Sequence, residues 1–230
     1  MLRLDRLELA QGAFRLSADL EVPRGAAVAV MGPSGGGKST LLAAIAGFLA
    51  SVSGRVLWEG RDLGPLPPGQ RPVGVLFQDN NLFPHLSVVQ NVALGIRPSL
   101  RPTAAERARA EAALQRVGLG TFGARRPAQM SGGQQGRAAL ARLLVQDRPL
   151  VLMDEPFAAL GPALKAEMLQ LTREVLGERG ATLLMVTHDP EDARALAEAV
   201  VVVAEGRAAP PAPTEALLSD PPPALRAYLG

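Results

Sequence analysis

The sequence contains no cysteine, which excludes a disulfide framework and a thiolate metal site and is compatible with a cytosolic location. It also has no long hydrophobic run. An apolar segment such as residues 199–204 is far shorter than the roughly 20 residues that cross a bilayer as a helix. The first five residues lack the apolar core of a signal peptide. We therefore expect any role at a membrane to depend on a partner protein.

Aromatic residues are scarce as well, and neither positive nor negative charge is in large excess. Aromatics make up 3% of the chain, and 24 basic residues nearly balance 22 acidic ones, for a net charge of +2. Without a basic run or an aromatic cluster, the sequence does not favour nucleic acid as a partner. Lysine is rarer still, since only Lys38 and Lys165 occur among many arginines. A lysine retained at position 38 suggests a site where a compact ammonium fits better than a planar guanidinium.

Strand and helix patterns alternate along the 230 residues, as is typical of an α/β protein of one domain with an appended lobe. Apolar and alternating runs predict strands over residues 2–9, 14–22, 26–31, 73–77, 150–153 and 181–186, with a terminal hairpin that turns at Glu205-Gly206. Helices are predicted over residues 38–50, after the capping box of Thr103 and Glu106, and after Asp189-Pro190. Residues 84–146 are mostly helical in pattern. This order predicts a parallel-sheet nucleotide-binding core with a helical insertion and an antiparallel edge.

A glycine-rich loop joins the third predicted strand to the first predicted helix. It fits the pattern G-x-x-x-x-G-K-S/T and comprises Gly32, Pro33, Ser34, Gly35, Gly36, Gly37, Lys38 and Ser39, followed by Thr40. In such a loop backbone N–H groups cradle phosphates, the lysine reaches the β- and γ-phosphates and the serine hydroxyl binds Mg²⁺. A plain glycine turn is the alternative, but the strand before it, the helix after it and the rare lysine all favour a nucleotide site.

Two carboxylates end the strand at residues 150–153. Asp154 can hold Mg²⁺, directly or through water, and Glu155 can orient or deprotonate an attacking water. Solvated acids at a strand end are the structural alternative. The second acid favours hydrolysis over simple retention of a nucleotide.

Gln78 and His188 follow two further predicted strands. Ligands gather at the carboxyl ends of parallel strands, so both are candidates for contact with the γ-phosphate region, and Gln78 also for Mg²⁺. Each could equally cap a loop. His85, the other histidine, is expected at the surface or facing a partner.

A second phosphate-binding pattern lies between these elements. Ser131, Gly132, Gly133 and Gln134, here called the Ser131 segment, form a hydroxyl-bearing turn that opens a helix. The chain thus has two phosphate cradles but acidic residues for only one metal. We infer that the second cradle serves a nucleotide held by another copy of the protein.

Over nearly its whole length the chain resembles the ATP-binding subunit of an ATP-binding-cassette (ABC) transporter, with the phosphate loop, Gln78, the Ser131 segment, Asp154-Glu155 and His188 in the family's order. The resemblance implies a P-loop NTPase with a RecA-like parallel-sheet core, an N-terminal antiparallel β subdomain and an inserted α-helical subdomain. The single domain would then comprise residues 1–83 and 147–207 as core and β subdomain, 84–146 as helical subdomain, and 208–230 as a proline-rich C-terminal tail. Within that tail, the proline-rich composition of residues 210–223 predicts an irregular stretch with a short helix.

The resemblance also implies cofactors, partners and a location. Two subunits would sandwich ATP and Mg²⁺ as a homodimer, with Ser131 and Gly133 contacting the γ-phosphate bound by the other subunit. His188 would support hydrolysis, and Gln78 would link Mg²⁺ to a segment that touches an integral membrane permease. The subunit would lie peripherally on the cytoplasmic face of the inner membrane, and an extracytoplasmic solute-binding protein would be an indirect partner.

Residues 76–83 are most similar to those of thiamine-importer ATPases, which implies thiamine as the solute. Ferric iron, a polyamine or an anion remain alternatives, as do a weakly hydrolysing regulatory module and a soluble cassette that acts on nucleic acid or ribosomes.

Two departures from the family pattern bear on function. Gly161 stands where the family has an aspartate, which puts communication between the two ATP sites in doubt. Residues 9–12 lack the aromatic that stacks on adenine, and Phe14 is either its substitute or a packed strand residue. We expect weaker adenine binding.

Overall fold

Strands and helices alternate through the part of the chain that the computed structural model describes, residues 1–99 and 101–229. Its strands are β1 (Leu2–Gln11), β2 (Phe14–Val22), β3 (Ala27–Met31), β4 (Ser53–Trp58), β5 (Arg61–Asp62), β6 (Val73–Leu76), β7 (Leu150–Asp154), β8 (Thr182–Val186), β9 (Ala199–Ala204), β10 (Arg207–Ala208) and β11 (Ala212–Pro213). Its α-helices are α1 (Lys38–Ala46), α2 (Val88–Ala93), α3 (Ala104–Arg116), α4 (Gly132–Val145), α5 (Pro162–Glu178), α6 (Pro190–Leu196), α7 (Thr214–Ser219) and α8 (Pro223–Leu229). None of the helices in these residues is long and apolar enough to cross a membrane.

The chain divides into two compact units. The first comprises Met1–Val73, Pro149–Asp154 and Leu176–Gly230, and the second Gly74–Arg148 and Glu155–Val175. In the first unit the strand order is β5-β4-β1-β2-β10-β9-β3-β8-β7, with β11 paired to β9. Strands β3, β7, β8 and β9 run parallel to one another in the centre, while β1, β2 and β4 form an antiparallel part. The predicted α/β fold with a parallel core and an antiparallel β part is confirmed.

Continuous apolar residues place the parallel strands in the core. All five residues of β8 are buried, and four of the five in β3 and in β7. Such runs are typical of strands covered on both faces, whereas β1 alternates between buried and exposed positions. The alternation in β1 shifts at Arg6, which has φ +47° and marks an irregularity in both of its ladders.

Helices α2, α3 and α4 form the core of the second unit. Each begins with a capping box, in which the N-cap hydroxyl and the N3 side chain bond the helix start reciprocally: Ser87 with Gln90, Thr103 with Glu106, and Ser131 with Gln134. Their apolar faces share one buried cluster that includes Val92, Leu114 and Ala138. The capping box predicted at Thr103 is confirmed.

Helix α1 is shorter than predicted. It ends at Ala46 rather than residue 50, because Gly47 adopts the left-handed conformation at φ +90° and its N–H bonds back to the helix carbonyls. The buried Arg71 guanidinium completes this end by donating to the Ala44 and Ile45 carbonyls at 2.8 and 2.9 Å. The sequence prediction overlooked Gly47 as a helix stop, because this glycine stands within an apolar run that continues the helical pattern.

The C-terminal extension contains the short helix that was predicted and a second one after it. The stretch from Pro210 to Pro223 contains β11 and one short helix, α7, and a further helix that was not predicted, α8, begins at its end. Leu218 and Leu225 are buried in a cluster with Ala29, Met31 and Val200. Prolines at 213 and 223 immediately precede α7 and open α8, positions where proline is compatible with a helix start.

Candidate functional site

The phosphate loop follows β3 and passes directly over β9. Gly32, Gly35 and Gly37 have φ of +146°, +75° and +102°, values that L-residues with side chains rarely adopt. A Cβ at Gly32 would lie 2.0 Å from the Val203 carbonyl oxygen, and one at Gly36 would lie 2.8 Å from the same atom. Gly35 has open space instead, with nothing within 4 Å of such a Cβ. The loop is therefore pressed against backbone on one side and open at its middle, which suits a bound phosphate.

Lys38 and Ser39 begin helix α1 at the end of this loop. The Lys38 ammonium donates to the carbonyl oxygens of Gly32 and Pro33 at 2.8 and 3.0 Å, and its side chain is buried. These bonds hold the positive charge inside the loop. Ser39 is exposed and Thr40 half-buried in the first turn, where backbone N–H groups lack partners within the helix and favour anions.

The sheet register brings Asp154 and His188 to the edge where this loop begins. Val186 of β8 pairs with both Val30 of β3 and Asp154 of β7, so these three residues form one row. Gly32 and His188 each come two residues beyond that row. The Thr187 N–H also donates to the Val30 carbonyl at 3.3 Å. Within the first unit, the structure thus brings together the phosphate loop, Asp154 and the segment that carries His188.

Buried polar groups fix the backbone on both sides of His188. The Thr187 hydroxyl donates to Asp192 Oδ2 at 2.8 Å and accepts from the Asp189 N–H at 3.1 Å. Asp189 is the N-cap of α6, as predicted, and accepts from the Glu191 N–H at 2.9 Å. Thr187 and Asp192 are both buried. Sequence reasoning missed this pair, since an acid in the first turn of a helix ordinarily serves the helix itself.

Glu155 adopts a strained backbone conformation directly after β7. Its φ is +45°, in the left-handed region that a non-glycine residue with a long side chain seldom occupies. Such outliers cost free energy and cluster at functional sites, where the surrounding structure maintains them. Asp154 and Glu155 are both half-buried.

Gln78 lies in the second unit, in an exposed turn that follows β6. The Asn80 N–H donates to the Phe77 carbonyl at 3.0 Å, which closes a four-residue turn around Gln78 and Asp79. His85 is exposed farther along, with its ring edge-on to Phe83 at 6.0 Å between centroids. The exposed position of His85 agrees with the prediction.

The Ser131 segment opens α4 in the second unit. Ser131 Oγ accepts from the Gln134 N–H at 3.3 Å, while Gln134 Oε1 accepts from the Ser131 N–H at 3.1 Å. Ser131 and Gly132 are exposed, but Gly133 is buried, and a Cβ there would lie 2.1 Å from Leu164 Cδ2. The exposed hydroxyl and the first N–H groups of α4 can therefore meet an incoming phosphate, whereas Gly133 offers only its backbone beneath Leu164.

Phe14 packs against the phosphate loop. A Cβ at Gly37 would lie 2.6 Å from Phe14 Cζ, so the ring rests on that glycine. Phe14 is half-buried at the start of β2. Phe14 is therefore a packed strand residue that lies beside the candidate nucleotide site.

The donor set fits a polyphosphate with Mg²⁺. Mg²⁺ takes hard oxygen ligands, usually one or two carboxylates together with waters and substrate phosphates. Asp154 and the Ser39 hydroxyl are ligands of this type. Among the described residues no cluster of three or more His, Asp or Glu could hold a metal by itself. A site completed by phosphate oxygens does not require such a cluster.

Comparisons with known proteins agree with this chemistry. A family model described as "ABC transporter" matches residues 16–158. The chain is similar to the protein named Thiamine import ATP-binding protein ThiQ of Cereibacter sphaeroides, at 64% identity over 230 residues that cover 100% of both chains. It is similar to the protein of the same name in Ruegeria sp., at 60% identity over 230 residues and with the same coverage.

Solved structures are similar as well. The dimeric ATP-binding cassette MJ0796 in a post-hydrolysis state bound to ADP and Pi has a TM-score of 0.81 and 30% identity, over 93% of this chain and 99% of that one. The cbiO1 protein from Clostridium perfringens, part of the ABC transporter complex cbiONQ, has a TM-score of 0.82 and 29% identity, over 95% and 90% of the two chains.

Proposed function

Because the chain belongs to the ABC transporter family, we propose that it is the ATPase subunit that drives thiamine import through a membrane permease. The geometry that supports hydrolysis is the row of Val30, Asp154 and Val186, which sets the phosphate loop and a carboxylate at one edge of the sheet. The support for thiamine is full-length similarity to two proteins named for thiamine import, at 64% and 60% identity.

The phosphate loop and the strand ends divide the work of hydrolysis. Residues 32–40 bind the phosphates through backbone N–H groups, and Lys38 supplies the positive charge that the β- and γ-phosphates require. Ser39 and Asp154, together with Gln78, would hold Mg²⁺, and the ion would neutralise charge on the phosphates when bound. Glu155 orients the attacking water and accepts its proton, while His188 stabilises charge near the γ-phosphate.

A second copy of the chain completes each site. The Ser131 segment, Ser131 to Gln134, contacts the ATP bound by the partner subunit, with the Ser131 hydroxyl and the N–H groups at the start of α4 as donors. Similarity to cassettes solved as dimers supports this arrangement. Hydrolysis is then cooperative in ATP, because one chain alone lacks half of each site.

The permease and the location follow from the same role. The chain lies peripherally on the cytoplasmic face of the inner membrane, bound to permease subunits that receive thiamine from an extracytoplasmic binding protein. The whole chain acts as one ATPase domain, with residues 1–83 and 147–207 as core, 84–146 as helical subdomain and 208–230 as C-terminal extension. The two compact units agree with a separate sheet part and helical part, but residues 74–83 and 155–175 belong to the largely helical unit rather than to the core.

The test is ATP-driven uptake of labelled thiamine into proteoliposomes that contain the chain and its permease. We expect uptake and ATP turnover in the wild type, and a loss of about 100-fold or more in turnover for Glu155→Gln, which removes the proton acceptor but keeps the side-chain shape. Ser131→Arg blocks the partner's phosphate and abolishes cooperative turnover. Phe48→Leu, at an exposed position outside the residues assigned to the site, serves as the control.

Two outcomes would contradict the proposal in different ways. Turnover that is unaffected by Glu155→Gln or by Ser131→Arg would reject the mechanism. Uptake of another small solute but not thiamine would reject the solute while leaving the ATPase role intact.

A further inference from the structure

A tight turn carries Gln78 and is built from backbone that L-residues avoid. We call residues 77–81 the Gln78 turn. It is closed by the Asn80 N–H, which donates to the Phe77 carbonyl at 3.0 Å, and by the Asn81 N–H, which donates to the Asp79 carbonyl at 2.6 Å. Asn80 and Asn81 both have positive φ, at +57° and +45°. Asparagine tolerates the left-handed region better than most residues, but two in succession still require support from the surroundings.

Arg142 supplies that support from helix α4. Its Nη1 donates to the Asn81 carbonyl at 2.6 Å and its Nη2 donates to the Asn80 carbonyl at 2.8 Å. The two bonds use both arms of one rigid planar fork, so they fix the direction of both carbonyls and not only their distance. The guanidinium is partly buried, and this desolvation lowers its pKa from the usual value, although an arginine remains charged.

Helix α4 is a firm base for this contact. Arg142 lies in its last turn, next to Ala141 and Leu143, which are buried. The same helix begins at the Ser131 cap. One helix therefore presents the Ser131 segment at its first turn and holds the Gln78 turn from its last.

We propose that Arg142 is a positioning residue for Gln78: its fork holds the carbonyls of Asn80 and Asn81 and thereby fixes the turn that presents the Gln78 side chain. The proposal rests on the role of Gln78 in the function proposed above. It assigns Arg142 no contact with ATP or Mg²⁺, so its effect on hydrolysis must pass through the turn.

A double-mutant cycle with Gln78 tests this dependence. Arg142→Met keeps the length and much of the volume of the side chain but cannot donate, while Arg142→Lys keeps the charge but not the fork. We expect Arg142→Met to lower kcat for MgATP about 10-fold to 100-fold with a smaller change in KM, as for other residues that orient a ligand group. Arg142→Lys should restore part of the rate. In a Gln78→Ala background, Arg142→Met should change kcat by less than about 2-fold.

Arg107 provides a matched control. It is an exposed arginine on α3 that pairs with Glu111 one turn away at 2.9 Å and touches neither the Gln78 turn nor the Ser131 segment. Arg107→Met should leave kcat, KM and the Gln78 cycle unchanged. Amide exchange at Asn80 and Asn81 should accelerate in Arg142→Met and stay unchanged in Arg107→Met, because those two N–H groups close the turn.

The outcomes separate this proposal from the proposed function. If Arg142→Met lowers kcat equally with and without Gln78, Arg142 acts independently of that residue and the proposal is overturned while the ATPase role stands. If turnover is insensitive to Glu155→Gln, the proposed function fails instead. Unchanged amide exchange at Asn80 and Asn81 in Arg142→Met would by itself overturn the proposal that Arg142 holds the Gln78 turn. Should Arg142→Met fail to fold, Arg142→Lys is used in the same cycle and the same exchange measurement.

Discussion

Single residues decide how closely the backbone can approach at the candidate site. Gly32 and Gly36 lie where a Cβ would strike the Val203 carbonyl oxygen, at 2.0 and 2.8 Å. Glu155 and Asn80, in contrast, keep side chains in the left-handed region where glycine would be easier. The chain thus has glycine where neighbouring backbone leaves no space for a Cβ, and it keeps a polar side chain at left-handed positions of the candidate site.

Asn80 also carries a polar atom without a partner among the described residues. Its Oδ1 is buried and accepts no hydrogen bond there. It points towards Gly136 of α4, where a Cβ would lie 3.9 Å away and meet nothing nearer. An unsatisfied buried acceptor costs about 1–3 kcal/mol, and a glycine inside a helix costs about 1 kcal/mol relative to alanine. Position 136 is therefore suboptimal for stability on both counts.

We predict that Gly136→Ala and Gly136→Ser both raise the free energy of unfolding, alanine by about 1 kcal/mol. Serine is the poorer helix former by about 0.5 kcal/mol, but its hydroxyl can donate to Asn80 Oδ1. The serine variant should therefore equal or exceed the alanine variant in urea unfolding. A serine variant that is less stable than the alanine variant by the propensity difference would show that Oδ1 gains nothing from the new donor.

At the scale of elements, helix starts in the second unit are fixed by reciprocal capping. The boxes at α2 and α4 use glutamine at the third position, whereas α3 uses Glu106. The Thr103 N–H donates to Glu106 Oε2 at 2.7 Å, and the Thr103 hydroxyl accepts from the Glu106 N–H at 3.2 Å. Of these three helix starts, that of α3 alone uses an ionisable side chain in its box.

The capping of α3 should weaken in acid. The Thr103 backbone N–H, then the Thr103 side chain and Arg97, hold the pKa of Glu106 below its usual 4.5. A depressed folded pKa stabilises the fold fully above 4.5, and that contribution is lost as the pH falls through the lower folded value.

We predict that Glu106→Gln is less stable than the wild type near neutral pH and that the two converge in acid, because a protonated Glu and a Gln offer similar bonds. Thermal unfolding measured from about pH 7 down to about pH 3 tests this. A difference that stays constant over the whole range would mean that the charge of Glu106 does not support the helix.

At the scale of the whole chain, distant parts of the sequence share one hydrophobic cluster. Leu218 and Leu225 of the C-terminal extension pack with Ala29 and Met31 of β3, and β3 leads directly into the phosphate loop. The extension therefore supports the strand that carries the loop. The proline-rich sequence of the extension gave no indication that it packs against β3.

We predict that Leu225→Ala lowers the free energy of unfolding by about 2–5 kcal/mol, since Leu225 is fully buried and its removal leaves a cavity. Leu217→Ala is the matched control, because Leu217 is only partly buried against the same cluster. Chemical denaturation of both variants provides the measurement. Equal losses of unfolding free energy in Leu225→Ala and Leu217→Ala would show that the burial of Leu225 contributes nothing specific to stability.

The sequence by itself determined the elements whose chemistry is local. A glycine loop between an apolar strand and a helix, an apolar run ending in two acids, and a serine three residues before glutamine each specify their structure within a few residues, because hydrogen bonds to neighbouring backbone decide it. The strand at Phe14–Val22, the hairpin at Glu205-Gly206 and the cap at Asp189 were predictable for this reason.

The tertiary structure alone decided what depends on contacts between distant residues. Arg142 gives no sign in the sequence that it holds carbonyls 61 and 62 residues away. The C-terminal extension is ordered because Leu225 packs in a buried cluster with Ala29 and Met31 of β3, and not because its local sequence specifies a structure. Propensity and pattern act over a few neighbouring residues, whereas burial and long-range hydrogen bonds form only when the chain has closed on itself.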